Sequence, residues 1–126
     1  MTSARGRLGQ WGENQARLHL EARGYALVAT NYRCRWGEVD IVARQGQELV
    51  FVEVKTRRGS DFGTTEESLT PAKAQHLTAT AQDYLQTQLQ PADAANASWR
   101  IDLVAIHLDK GGKLERISHL ENVVEG

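Results

Sequence analysis

At 126 residues the chain has room for one compact domain, large enough to bury a core without a metal or disulfide staple. Hydrophobic residues at 40% and charged residues at 25% give an ordinary globular composition, with neither a bilayer-spanning apolar run nor the apolar stretch of a signal peptide. A net charge of −1, from 15 basic and 16 acidic residues, argues against a strongly basic nucleic-acid binder, and the lone Cys34 excludes an internal disulfide and a cysteine-based zinc site. Together these features point to the cytoplasm.

Residues 1–8 read as a polar arm carrying Arg5 and Arg7. Leu8 to Arg23 has helical spacing: Ala16 and Leu20 share a face with Glu13, Leu18 and Ala22 add a second apolar row, and Gly24 is a natural stop. Tyr25 to Cys34 is rich in β-forming residues, and a turn near Trp36-Gly37 leads into a strand from Glu38 to Arg44. Strict alternation there puts Val39, Ile41 and Ala43 on one face and Glu38, Asp40 and Val42 on the other. After a hairpin at Gln45-Gly46-Gln47, the strand Glu48 to Lys55 contains Leu49-Val50-Phe51-Val52, apolar on both faces as a central strand must be.

Gly59 to Leu69 is a long polar loop of the kind that is functional or mobile. Thr70 and Pro71 supply an N-cap and a first helical residue, and Ala74, Leu77, Thr78, Ala81 and Leu85 continue at helical period. Pro91 to Ser98 connects to a strand from Trp99 to Leu108, and Gly111-Gly112 turns it into a short last strand, Lys113 to Ile117. Residues 119–126 carry no readable signal and read as a frayed tail. The order α-β-β-β-α-β predicts a single α/β domain with a mixed central sheet flanked by helices. Its first three strands form a meander, and the strand after the second helix rejoins the sheet beside the central one.

Chemistry concentrates where the buried strand ends. In Glu53-Val54-Lys55 the two charged residues share a face, and the neighbouring strand brings Glu38 and Asp40. Ions are buried in a sheet only when paired or bound to metal. Asp40 and Glu53, with the Val54 carbonyl as a third donor, fit a hard cation such as Mg2+, and Lys55 fits a group that orients or activates water and offsets charge on a phosphorane. Charge spacing alone equally fits a Glu53–Lys55 ion pair at a sheet edge with Asp40 as a surface acid; the adjoining apolar run argues against an edge.

Asp40, twelve intervening residues, then Glu53-Val54-Lys55 resembles the PD-(D/E)xK signature of restriction-endonuclease-like proteins. The wider frame is Gly12-Glu13, Gly37-Glu38-Val39-Asp40-Ile41-Val42 and Phe51-Val52-Glu53-Val54-Lys55-Thr56-Arg57. It is similar to the YraN-like family, whose fold resembles archaeal Holliday-junction resolvases. The similarity runs from Gly9 to about Leu108, with Val39 where the signature's name has Pro. It implies a restriction-endonuclease-like fold and a Mg2+- or Mn2+-dependent endonuclease acting on DNA, with branched or structured DNA as substrate. In the resolvase-like proteins an acid on the first helix completes the metal site, which assigns Glu13 to the catalytic and metal-binding set; read by itself, Glu13 also fits a first-turn glutamate favoured by the helix dipole.

Arg33, Arg35, Arg57, Arg58 and Lys73 form a set of candidate phosphate contacts. Glu38 reads as a rim residue salt-bridged to Arg57 or Arg35, and Asp102 as the structural partner of Arg100 or of an arginine on a neighbouring strand. Trp11 and Trp36 read as packing residues rather than base-stacking ones. The four histidines have no zinc spacing. Two function classes follow: a metal-dependent endonuclease, or a non-catalytic nucleic-acid-binding module with a nuclease fold in a larger complex. Two-fold symmetric substrates would suit a homodimer, and no membrane partner is expected.

Overall fold

The computed structural model describes residues 4–59 and 69–124. Elements follow in the order α1 (Ala4–Ala22), β1 (Ala26–Cys34), β2 (Gly37–Gln45), β3 (Glu48–Arg58), α2 (Pro71–Gln88), α3 (Pro91–Ala95), β4 (Ser98–Leu108) and β5 (Leu114–Leu120). The strands form one five-stranded sheet in the order β1-β2-β3-β4-β5. β3 and β4 are parallel and the other pairs antiparallel, so the sheet is mixed, with the apolar β3 at its centre. The fold is α/β, as the element order predicts. No helix of the described residues is long and apolar enough to cross a membrane.

Each face of the sheet carries a helix and a core. On one, Ala16 and Leu20 of α1 pack with Ile41, Ala43, Val50, Val52, Val104 and Ile106. On the other, Leu77, Ala81, Tyr84 and Leu85 of α2 pack with Val39, Val42, Leu49, Phe51 and Ile101. Each fully buried large apolar side chain contributes roughly 1.5–3 kcal/mol, so β3, which feeds both cores, anchors the fold. α1 lies close to the sheet at Gly12, where a Cβ would stand 2.1 Å from the Thr56 hydroxyl oxygen. It stops at Gly24, whose φ of +89° lets the chain reverse so that the Tyr25 N–H returns to the Leu20 carbonyl. α2 begins as expected, with the Thr70 hydroxyl accepting the Lys73 N–H and Pro71 in the first turn.

Several local expectations are corrected. α1 begins at Ala4 rather than Leu8, because the polar first turn carries no apolar period to announce it. Leu18 and Ala22 face solvent, leaving a single buried stripe through Gly12, Ala16 and Leu20. On α2 the buried positions are Leu77, Thr80, Ala81, Tyr84 and Leu85; Thr80 is accommodated because its hydroxyl donates to the His76 carbonyl. The connection after α2 contains the short α3. β5 extends to Leu120, and residues 119–123 of the segment read as a frayed tail are held by long-range bonds: His119 Nε2 lies 2.7 Å from the Asp102 carboxylate, and the Val123 N–H donates to the Ile101 carbonyl. Residues 60–68, most of the expected polar loop, lie outside the described residues.

Alternation in β2 also fails at one point. Val39 packs on the α2 side with Val42, whereas Ile41 and Ala43 pack on the α1 side. The change of phase falls at Asp40.

Candidate functional site

The β2–β3 ladder runs from Gln45 opposite Glu48 to Ile41 opposite Val52 and ends there. The next residues outward are Asp40 and Glu53. The Asp40 carboxylate, rather than a β2 carbonyl, accepts the Val54 N–H at 2.7 Å. This side-chain bond replaces a rung of the ladder, satisfies a buried donor, and holds Asp40 where the two strands part.

Three acids meet at this fork. One carboxylate oxygen from each of Glu13, Glu38 and Asp40 lies within 4.8 Å of the others. Glu13 comes from α1, whose close seating at Gly12 sets its reach, and Glu38 and Asp40 come from β2. Asn31, in β1 at φ 52°, joins them: with its amide nitrogen toward the acids, it donates to Glu13 at 3.2 Å and Glu38 at 3.1 Å. Burial, then the charge of Glu53, pushes the Asp40 carboxyl up to about 8 despite the Val54 N–H, and Glu13 and Glu38 add to the rise. Burial likewise raises Glu13, although its hydrogen bonds to Asp40 and Asn31 pull the other way.

A cleft of about 400 Å³ opens beside the fork, lined by Gly37, Glu38, Asp40, Glu53, Ala72, Lys73, His76 and Leu77. Glu53 is 6% exposed and shares one oxygen between two ammonium groups: Lys73 Nζ at 2.8 Å and Lys55 Nζ at 3.6 Å. The two lysines differ. Burial and the adjacent Lys73 lower the Lys55 pKa. Lys73 is raised: desolvation works against its charge, but its bonds to Glu53 outweigh that. The fork therefore sets the acids Glu13, Glu38 and Asp40 close to a lysine pair held by Glu53, with Glu38, Asp40, Glu53 and Lys73 facing the cleft.

The structure thus brings Glu13, Asp40, Glu53 and Lys55 to one end of the sheet. Lys73, expected among the phosphate contacts, is engaged with Glu53 from the first turn of α2. Arg33 pairs with Glu38 at 3.0 Å while remaining largely exposed, a partner not among the Arg35 and Arg57 expected for that acid. Arg35 stacks over the Trp36 ring, 4.2 Å from its centroid. Arg58 turns away and donates to the Lys110 carbonyl at 2.9 and 3.1 Å. Arg57 shares the strand parity of Glu53 and Lys55. Sequence reading missed Asn31 and His76; the one signal for Asn31 was a turn-favouring residue inside an otherwise β-forming strand.

The profile of the Uncharacterised protein family UPF0102 matches residues 12–106. The chain belongs to the UPF0102 family. This is the YraN-like family whose motifs the sequence carries, and the match includes every residue of the cleft while stopping short of β5. A UPF0102 protein of Roseiflexus castenholzii is 46% identical over 125 residues, 99% of this chain and 98% of the relative. One of Herpetosiphon aurantiacus is 44% identical over 115 residues, 88% of this chain and 90% of the relative. One of Chloroflexus aurantiacus is 42% identical over 120 residues, covering 95% and 94%. Among solved structures, Pyrococcus furiosus SfsA in complex with Ca2+ aligns over 89% of this chain and 60% of its own length, at 14% identity and a TM-score of 0.36. A likeness of that degree supports no conclusion about this chain.

Proposed function

We propose that this UPF0102 protein is a divalent-metal-dependent endonuclease that hydrolyses phosphodiester bonds in DNA. The observation that carries the reading is the convergence of Glu13, Glu38 and Asp40 beside a cleft lined by Glu38, Asp40 and Glu53, with Lys55 paired to Glu53. Carboxylates so close together repel; burial first, then the charge of Glu53 and more weakly those of Glu13 and Glu38, push the Asp40 carboxyl up to about 8. A hard cation would relieve that repulsion, and an all-oxygen donor set suits Mg2+ or Mn2+. Glu13, Glu38 and Asp40 would hold it, with Glu53 and the Val54 carbonyl on the adjoining strand end.

When bound, such an ion would polarise the scissile phosphate and lower the pKa of a bound water. The chain's own residues would do the rest. Asp40, tied to Val54, keeps its carboxylate fixed and so needs little reorganisation to act. Lys55, made easier to deprotonate by burial and by Lys73, can orient the attacking water, exchange a proton with it and offset developing charge on the phosphoryl oxygens. Glu53 keeps the two ammonium groups together. Arg33 and Arg35, at the β1–β2 turn, are available to backbone phosphates flanking the scissile one. The PD-(D/E)xK and resolvase resemblance adds branched or structured DNA as the substrate to try first.

The test is cleavage of end-labelled branched, gapped and linear DNA by purified protein in Mg2+ and Mn2+, with Asp40→Asn as the control. Metal-dependent cutting that Asp40→Asn abolishes supports the reading. One feature favours a second reading, a binding module with a nuclease fold: Glu53, expected as a ligand, is already engaged by Lys73 at 2.8 Å. Wild-type protein that binds Mn2+ and DNA but cuts none of these substrates would establish that alternative.

A further inference from the structure

Trp36 stands apart from the other tryptophans. Trp11 and Trp99 are half-buried against the two cores, whereas Trp36 is 45% exposed at the two-residue tip of the β1–β2 hairpin. Trp36 thus leaves nearly half of its surface in water. The expectation that Trp36 packs is therefore overturned.

Three observations give that position a use. First, the Arg35 guanidinium covers one face of the indole at 4.2 Å, so a cation stands beside the ring and a base would take the opposite face. Second, the next residue, Gly37, lines the acidic cleft with Glu38 and Asp40, so the hairpin tip adjoins it. Third, the hairpin is anchored. Gly37, at φ +147°, has the Thr80 hydroxyl and His76 so near that a Cβ would approach them at 3.3 and 3.7 Å, and the Tyr32 hydroxyl donates to Asp83 of α2. A stacking surface held by a rigid element loses little entropy when it is occupied.

We propose that Trp36 is a base-stacking platform for an unpaired nucleotide beside the cleft, with Arg35 contacting its phosphate. Within a duplex the base faces are stacked on their neighbours, and only the two end pairs expose one; away from an end, an indole can be satisfied only by a base already out of the stack. The preferred ligand is therefore nucleic acid with a single-stranded segment or a junction next to the cleavage position. The proposal rests on the nuclease reading for its biological setting but not for its measurement.

The experiment measures binding by fluorescence anisotropy to three labelled probes: short oligo(dT), a blunt duplex, and the same duplex with a single-stranded gap. It is run in Ca2+ and again in EDTA, so that cleavage plays no part. Wild-type, Trp36→Phe and Trp36→Ala proteins are compared, with equal thermal midpoints as evidence that the hairpin is intact. Trp36→Ala should weaken oligo(dT) and gapped duplex about tenfold and leave the blunt duplex unchanged, while Trp36→Phe keeps most of the affinity. Indole fluorescence should be quenched by oligo(dT) in wild type and much less in Trp36→Phe. Equal affinities of wild type and Trp36→Ala, or an equal loss on all three probes, overturn the platform. If wild type binds none of the probes, both this inference and the nuclease reading fall. If Trp36-dependent binding is seen but Mn2+ supports no cutting, the nuclease reading alone falls.

Discussion

The Asp40 carboxylate accepts the backbone N–H of Val54 at 2.7 Å, where the β2–β3 ladder has just ended. One side chain thus terminates a strand pairing and anchors the acidic cluster, and the two duties can be separated. Asn in its place keeps an acceptor for Val54 but loses the charge. Asp40→Asn should fold normally and be at least as stable as wild type without metal, because a buried, repelled carboxylate has been removed. It should lose measurable Mn2+ binding by calorimetry and lose cleavage. Full metal affinity in this variant would place the metal elsewhere.

The raised pKa of Asp40 has a signed consequence for stability. Its folded value, about 8, lies above the roughly 3.9 of an unfolded aspartate. The cost of ionising it in the fold is absent at acid pH, grows as pH rises through that interval, and is complete above it. A cation requires the ionised form. The rise in Tm produced by a fixed Mn2+ concentration should therefore be larger at about pH 8 than at about pH 6, and should vanish in Asp40→Asn. A pH-independent Tm shift would mean that Asp40 is not a ligand.

Lys55 and Lys73 share Glu53 but should not share a phenotype. In the nuclease reading Lys55→Ala abolishes cleavage and leaves DNA affinity nearly unchanged, since Lys55 serves water and transition state. Lys73→Ala removes the closer ion-pair partner of a 6%-exposed carboxylate and should lower stability as well as activity. Single-turnover cleavage beside denaturant titrations separates the two. Identical losses of stability in both variants would reduce Lys55 to a structural cation.

Gly12 permits the approach of α1 that brings Glu13 to Asp40. Gly12→Ala puts a methyl 2.1 Å from the Thr56 hydroxyl, whereas the Thr56 Cβ is an ordinary 3.5 Å away. The single variant should lose both stability and Mn2+ affinity, and Gly12→Ala with Thr56→Ala should recover much of each. A double-mutant cycle measures this coupling. Purely additive effects would mean that the hydroxyl rotates aside without moving the helix.

Far from the cleft, Asp102 is fully buried and bonded to Arg100, His119 and the Asn122 N–H, and Arg100 also reaches Glu48 and Tyr25. Desolvation opposes the charge of Asp102, but the bonds to His119 and Arg100 outweigh it and hold its carboxyl below the usual range. A depressed folded pKa gives stability that is complete above the unfolded value and is lost as pH falls through the folded one. Asp102→Asn should cost about 3–5 kcal/mol near neutrality. The gap from wild type in urea titrations should narrow below about pH 4. An equal gap across that range would assign the cost to packing.

Much of this architecture is legible in the sequence because β3 is apolar on both faces and the turn residues around it are unambiguous. The charges at Glu53 and Lys55 stand out for the same reason: they interrupt a run that has to be buried. Asp40 was legible as an acid at the right spacing but not as the point where β2 changes phase, since strict alternation assumes an unbroken ladder. Lys73 was hidden because its tie to Glu53 crosses from helix to strand, and local spacing records neither that crossing nor the reach of His119 back to Asp102. Trp36 was misread because composition cannot tell an aromatic that packs from one that is displayed.

The parallel pairing of β3 with β4 sets a schedule for synthesis. Phe51 is opposite Ile101 in that register, so β3 has a partner on only one side until some fifty further residues have been made. During that interval Leu49-Val50-Phe51-Val52 is an exposed apolar edge, the kind of segment that pairs with other chains. Lys55, Arg57 and Arg58 directly follow it, a cationic end that opposes stacking of like copies. The cationic end of the strand thus also guards the nascent chain, and neutralising it should be felt first as aggregation during expression.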